Sequence, residues 1–302
     1  MTQIHRFLAC ATAFFLVVAG PGSAQDTPRV VTVNYPLQYF AERLLGDGAE
    51  VVFPVPADVD PSFWRPGVSD ISMIQAADLI LLNGAGFATW IDRVSLPRSR
   101  LVNTSDGFSD QFIVTESITH SHGDGGEHSH EGLASYTWLD PVLAAAQAEA
   151  VADAIVARGL AGEQDVRDRL NALQAELSTL DAEAESLLSR SGETGFIATH
   201  PRYQYFARRY GLSVSSVEWE AGRDPDGAGL EELRQRVGDT GAGVLIWEAE
   251  PSADAVRAAG EIGVESAVFE TMAHRPAEGD FLDAFRAALS NIRQAEGVSA
   301  GN

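Results

Sequence analysis

The sequence predicts an α/β protein built as two doubly wound lobes joined by a long rigid linker helix. Three observations carry this. Strand-then-helix units recur in the first third of the chain and again in the last third. The runs DLILLN (78–83), apolar between its ends, and AGVLIW (242–247) read as parallel strands covered on both faces. Between them Val166, Leu170, Leu173, Leu177, Leu180, Ala184 and Leu187 recur every four and three residues, one stripe along a single long helix. A chain of 302 residues has room for two compact lobes, and 45% hydrophobic residues suffice for their cores.

In chain order, residues 30–33 form a short buried strand and 36–45 a helix ended by Gly46. Residues 51–55 are the next strand, Ser69-Asp70 caps a helix running to Ala77, 78–83 is a buried strand, and 84–93 resumes a helix. Leu101-Val102 adds a strand. Trp138-Leu-Asp-Pro141 leads into an alanine-rich helix that runs to about Gly159, followed by the striped helix. A coiled-coil dimer would use such a stripe too. It stops at residues 189–192, where α/β patterning resumes, so an intramolecular spine in a monomer is expected. The second lobe has strands at 195–199, 213–217, 242–247 and 266–269, helices at 203–210, 230–237 and 253–262, and a closing helix from 280 to about 295. The expected boundaries are a leader at 1–24, a first lobe at 25–141, linker helices at 142–190 and a second lobe at 191–302.

The leader has the form of a secretory signal peptide: His5 and Arg6, an apolar run from 7 to 20 too short to span a bilayer, and small residues before Ala24. Cleavage near Ala24 would place the protein in the periplasm and discard Cys10, leaving nitrogen and oxygen as the metal ligands on offer. The net charge of −22 becomes one unit more negative without Arg6. Nucleic acid and anionic lipid are excluded as natural partners, and cations are favoured.

Residues 119–132, THSHGDGGEHSHEG, hold four of the seven histidines. His120 and His122, like His128 and His130, are separated by one residue, with glycines and acids between the pairs. Neutral imidazole binds zinc, copper or nickel, and a short His-rich tract is a compositional sign of metal binding. The alternative is a solvated acidic loop. In α/β lobes functional side chains stand at the carboxyl ends of strands, and His200, Glu218, Glu248 and Glu270 stand there.

With those positions identified, the chain resembles the metal-binding solute receptors of ABC importers, the ZnuA/TroA-like zinc and manganese receptors. The resemblance covers nearly the whole mature chain. It is carried by Asp60-Pro-Ser-Phe-Trp-Arg-Pro66, Ser69-Asp70, Ala77-Asp-Leu-Ile-Leu-Leu-Asn-Gly84, Trp138-Leu-Asp-Pro141, Thr199-His-Pro-Arg-Tyr-Gln-Tyr205, Tyr210-Gly-Leu212 and Phe269-Glu-Thr271. It implies two α/β lobes bridged by a long helix, with one divalent ion between them. The His-rich loop ahead of Trp138 is also a feature of zinc-type members. Of the four ligand positions the resemblance implies, His200 and Glu270 keep a nitrogen and a carboxylate, whereas Ser62 and Tyr136 stand where the family has histidines.

The expected function is therefore an extracytoplasmic receptor, not an enzyme, that passes a divalent ion to an ABC permease and its ATPase. Zinc is the expected ion, with manganese, copper and nickel as alternatives. His200, Glu270, His128 and His130 are the expected ligands, the last two completing the set that Ser62 and Tyr136 leave short. Glu218 and Glu220 are reserve oxygens, Tyr136 is a hydrogen-bond donor to a metal ligand, and His120 and His122 are loose recruiters of metal. Other readings stay open: His200 as a helix-capping histidine, Glu270 as an exposed strand-end acid, and Glu248 and Glu250 as solvent-facing or arginine-paired. His274 is expected to be exposed. The competing functions are a secreted metal-dependent hydrolase, with Glu248 or Glu218 as general base, and a periplasmic metal buffer without a permease.

Overall fold

The computed structural model describes residues 27–115, 132–189, 195–219 and 221–299, so the expected leader with Cys10 lies outside it. β1 (Arg29–Thr32) feeds α1 (Tyr35–Leu45), where the Asn34 side chain accepts the Leu37 N–H and Pro36 sits where no helical N–H is needed. β2 (Glu50–Val52), α2 (Val68–Ala76), β3 (Leu79–Leu82) and β4 (Leu101–Asn103) complete the first lobe. Its sheet is parallel throughout in the order β2-β1-β3-β4.

Local chemistry departs from expectation twice here. Gly67, not Ser69-Asp70, is the N-cap of α2: Asp70 is the third helical residue and its carboxylate accepts the Gly67 N–H at 2.8 Å. Residues 84–93 do not resume an α-helix. Ala85 and Ala88 take φ of 50° and 57°, and only a 3₁₀ turn follows at Thr89–Arg93. The bend packs Phe87 edge-on against Tyr136 and Trp138, and Trp90 against Trp64. Gly84 itself has φ of 78°, which strains any L side chain, and a Cβ there would collide with Asn103 Oδ1 unless that side chain moved.

β5 (Val114–Thr115) and β6 (Gly132–Leu133) pair antiparallel, a ribbon too short to read from sequence. α3 (Pro141–Ala157) is capped by Asp140, which accepts the Val142 N–H at 2.9 Å, the local reason for the Asp-Pro step of the Trp138 motif. α4 (Glu163–Leu188) has 26 residues, about 39 Å of helix at 1.5 Å per residue. The expected stripe is buried from Val166 to Ala184, and Leu188 rather than Leu187 completes it.

The second sheet contains β7 (Gly195–Ala198), β8 (Val214–Ser216), β9 (Ala242–Trp247) and β10 (Glu265–Val268), parallel in the order β10-β9-β7-β8. Its helices are α5 (Gln204–Tyr210), α6 (Gly227–Thr240), α7 (Ala253–Ile262) and α8 (Phe281–Ser299). The strand order repeats that of the first sheet: the first strand pairs with the second on one side and the third on the other. Alternate residues of β9 face opposite ways, Val244 and Ile246 into one core, Leu245 and Trp247 into the other. The larger core is continuous from Val30 and Phe40 through the α4 stripe to Phe269 and Ile292, so α4 packs against both lobes.

Replacement of the fully buried Leu177 by alanine is expected to cost about 2–5 kcal/mol. The same change at exposed Glu185 should stay within about 0.5 kcal/mol. Urea unfolding curves of the two variants check this.

Candidate functional site

In an open parallel sheet the crevice lies at the carboxyl ends of the strands where the chain reverses direction, here between the first and third strand of each lobe. In the first lobe Asn34 and Asn83 stand there. Asn83 accepts from Asn34 Nδ2 and Gln147 Nε2, each at 3.1 Å, and donates to the Ser135 carbonyl at 2.9 Å, which fixes the approach to Tyr136. In the second lobe the same place holds Thr199-His200 at the end of β7 and Glu248 at the end of β9. Thr199 Oγ1 accepts the Glu248 N–H at 3.2 Å.

Main-chain and side-chain bonds bring the two crevices together. Trp138 Nε1 donates to the Thr271 carbonyl at 2.7 Å, Tyr35 N–H to the Ala273 carbonyl at 2.9 Å, and His274 Nε2 lies 2.7 Å from the Val59 carbonyl. His274 is thus half-buried and faces the Phe53 ring, where exposure was expected; the acceptor at Val59 is what draws it in.

At the centre of the contact is a side chain that the sequence did not single out. Arg202 is 7% exposed; its Nη2 lies 2.5 Å from Asp60 Oδ2 of the first lobe and its Nε 2.9 Å from Glu248 Oε1 of the second. The second contact is an ion pair whose N–H is not aimed for a hydrogen bond. The guanidinium carbon lies 4.7 Å from the centre of the Tyr136 ring, a cation–π contact. Asp60 Oδ1 also accepts from Ser62 N at 2.8 Å and Ser62 Oγ at 2.6 Å. Burial pushes the Asp60 carboxyl up, but Arg202 and the Ser62 donors outweigh it and hold the group below the usual carboxylate range. Glu248 goes the other way. Burial raises it more than Arg202 and His200 lower it, and its Oε2 has no hydrogen-bond partner among the described residues.

His200 Nδ1 lies 3.3 Å from the Trp219 carbonyl. A carbonyl only accepts, so the neutral ring carries its proton on Nδ1 and its lone pair on Nε2, the arrangement of a histidine ready to bind metal. This bond replaces the helix-capping role. Glu270 is exposed beyond the end of β10. Because β9 lies between β7 and β10, the chain positions of His200 and Glu270 start about 10 Å apart, two strand spacings. Glu218 is exposed after β8, while Tyr136 is buried with its hydroxyl lacking a partner among the described residues. Its contribution is therefore its ring face. His120, His122, His128, His130 and Glu220 lie outside the described residues. Glu248 is arginine-paired, and Glu250 is exposed.

Three or more His, Cys, Asp or Glu side chains able to hold a metal do not come together among the described residues. Asp60 and Glu248 are taken up by Arg202. The described residues alone therefore do not fit a three- or four-coordinate metal, and the three-ligand site of the hydrolase reading is not assembled among them.

Two parallel α/β lobes of one topology, joined by a helix that packs on both and facing each other across their strand ends, define a bilobal solute-binding protein. The chain belongs to the family described as ZnuA, zinc-uptake complex component A, periplasmic, which it matches over residues 30–295. It is 27% identical over 275 residues to the high-affinity zinc uptake system protein ZnuA of Bacillus subtilis, covering 86% of each chain. To the zinc-binding lipoprotein AdcA of Streptococcus pneumoniae it is 27% identical over 262 residues, 83% of this chain and 51% of that protein, so it spans about half the length of such relatives. The metal-dependent lipoprotein YcdH of Bacillus subtilis superposes with a TM-score of 0.74 at 23% identity, covering 89% of this chain and 99% of that one. FpvC of Pseudomonas aeruginosa, in complex with Mn2+, gives 0.73 at 20% identity, covering 91% and 100%. These likenesses show the fold. No helix among the described residues is long and apolar enough to cross a membrane.

Asp60→Asn is expected to destabilise the protein by about 2 kcal/mol at neutral pH, the worth of hydrogen bonds to a charged group. Because the folded-state pKa of Asp60 is lowered, its contribution is complete above the unfolded-state value and is lost as pH falls through the folded one. Thermal melts should show the gap between wild type and variant closing in strong acid.

Proposed function

We propose that the protein is an extracytoplasmic receptor that captures a divalent metal ion, zinc in the first place, and hands it to an ABC permease driven by a cytoplasmic ATPase. The observation that carries this reading is His200, held at the carboxyl end of β7 with its Nε2 lone pair unspent, in a chain of the zinc-uptake family. The relatives ZnuA and AdcA import or bind zinc, which supports zinc over copper or nickel, while FpvC, in complex with Mn2+, keeps manganese as the alternative. The leader supports export with cleavage near Ala24 and a periplasmic location.

On this reading His200 and Glu270 contribute one ligand each, and His128 and His130 supply the imidazoles that Ser62 and Tyr136 do not. The sequence supports this, since His128 and His130 lie only a few residues ahead of Tyr136, and the described chain resumes at Gly132 in β6. His120 and His122 raise the local metal concentration, and Glu218 and Glu220 are spare oxygens. The receptor catalyses no reaction of its own.

Zinc content and competitive titration against a chelating dye test the assignment. Wild type should retain zinc, and His200→Ala and the double variant His128→Ala/His130→Ala should each lose about 100-fold or more in affinity. Unchanged affinity in His200→Ala would remove the anchor ligand from the proposal; unchanged affinity in the double variant would remove the assisting imidazoles.

A further inference from the structure

We infer that Arg202 is an interlobe lock: its guanidinium neutralises two carboxylates that belong to different lobes, Asp60 and Glu248, and so holds the lobes together along the crevice whether or not an ion is bound. The inference goes beyond the receptor reading and does not depend on which ion is captured.

The geometry of the charges carries it. Asp60 stands on the first lobe and Glu248 on the second, and Arg202 reaches them with Nη2 at 2.5 Å and Nε at 2.9 Å. The arginine side chain is 7% exposed and that of Glu248 10%, so water screens their charges poorly. The two acids act on each other, since the charge of Asp60 is among the groups that push Glu248 up. Without the guanidinium the lobe boundary would hold two like charges, and their repulsion would part the edges of the crevice.

The first lobe is fitted to this cation. Ser62 N and Oγ hold Asp60 Oδ1 at 2.8 and 2.6 Å, which leaves Oδ2 to face Nη2. The Tyr136 ring lies 4.7 Å from the guanidinium carbon, and an aromatic face suits a flat, permanently charged group. The second lobe grips the same segment at two successive residues: His274 Nε2 lies 2.7 Å from the Val59 carbonyl, beside Arg202 on Asp60. At the base of the arginine its own N–H donates to the His200 carbonyl at 2.9 Å, so the side chain leaves a fixed turn.

Two hydrogen bonds that cross the same boundary report on the lock. Trp138 Nε1 donates to the Thr271 carbonyl and the Tyr35 N–H to the Ala273 carbonyl, whereas the Phe196 N–H, bonded to the Ser213 carbonyl, lies inside the second lobe. The larger core runs through both lobes, so loss of the lock frees the crevice edge and not the whole fold.

The test is hydrogen exchange, followed by NMR on the full chain. In wild type with EDTA the Trp138 indole and Tyr35 amide should stay protected, and saturating zinc should change their exchange by less than about threefold. Arg202→Met with EDTA should speed both at least about tenfold while the Phe196 amide stays within about threefold. Adding Glu248→Gln should restore protection, because one of the two like charges is gone; a purely steric role for the arginine would leave the double variant as exposed as the single one. Arg202→Gln is the second variant should Arg202→Met not fold. Three results would overturn the inference: wild-type protection that appears only with zinc, protection retained in a folded Met or Gln variant, or no recovery on adding Glu248→Gln. A wild type that binds no zinc yet keeps both protons protected upholds the lock and overturns the receptor reading instead.

Discussion

An arginine held between carboxylates of two lobes is the contact on which the crevice depends. Its burial removes the guanidinium from water, and only close, well-directed anions repay that cost. Asp60 is such an anion: Ser62 orients it, Oδ2 reaches Nη2 at 2.5 Å, and its pKa is held down. Glu248 is a poorer partner. It touches Nε without a directed hydrogen bond, keeps one oxygen unsatisfied among the described residues, and is pushed up by burial. Arg202 lowers both acids, yet their net shifts are opposite, because the Ser62 donors add to the lowering of Asp60 while burial outweighs it at Glu248.

The rest of the fold keeps these groups in place. Trp138 ties the first lobe to the carbonyl of Thr271, whose hydroxyl lies 3.4 Å from Glu248 Oε1, and Asn83 fixes the segment that presents Tyr136. The α4 stripe and the continuous core make the lobes one packed body, so the contact is preorganised by hydrophobic burial and not by charge alone. Hinged opening would have to part a shared apolar core.

Much of this architecture was legible in the sequence because it rests on periodicity. The apolar runs at 78–83 and 242–247 are central strands, and the stripe from Val166 to Ala184 is a buried face of one helix. What failed was local and conformational. Left-handed Ala85 and Ala88 have no composition signal, and the β5–β6 ribbon has two residues a side. The site was legible as a place but not as a constellation. His200 and Glu248 stand at the strand ends where they were sought, yet Arg202 meets Asp60 across 142 positions of sequence. Only the arginine's closeness to His200, two residues away in a motif rich in aromatics, hinted that a cation entered the crevice.

The identities at 62, 136 and 202 form one coupled arrangement rather than separate departures. Serine at 62 spends both its donors on Asp60, which is useful only if Asp60 has a cation to face. Tyrosine at 136 offers a ring and a hydroxyl without a partner among the described residues, a poor metal ligand but a good floor for a guanidinium. Arginine at 202 in turn has nothing to balance it without those carboxylates. The charge of Asp60 and Glu248 is already committed within the chain, to a guanidinium that touches both.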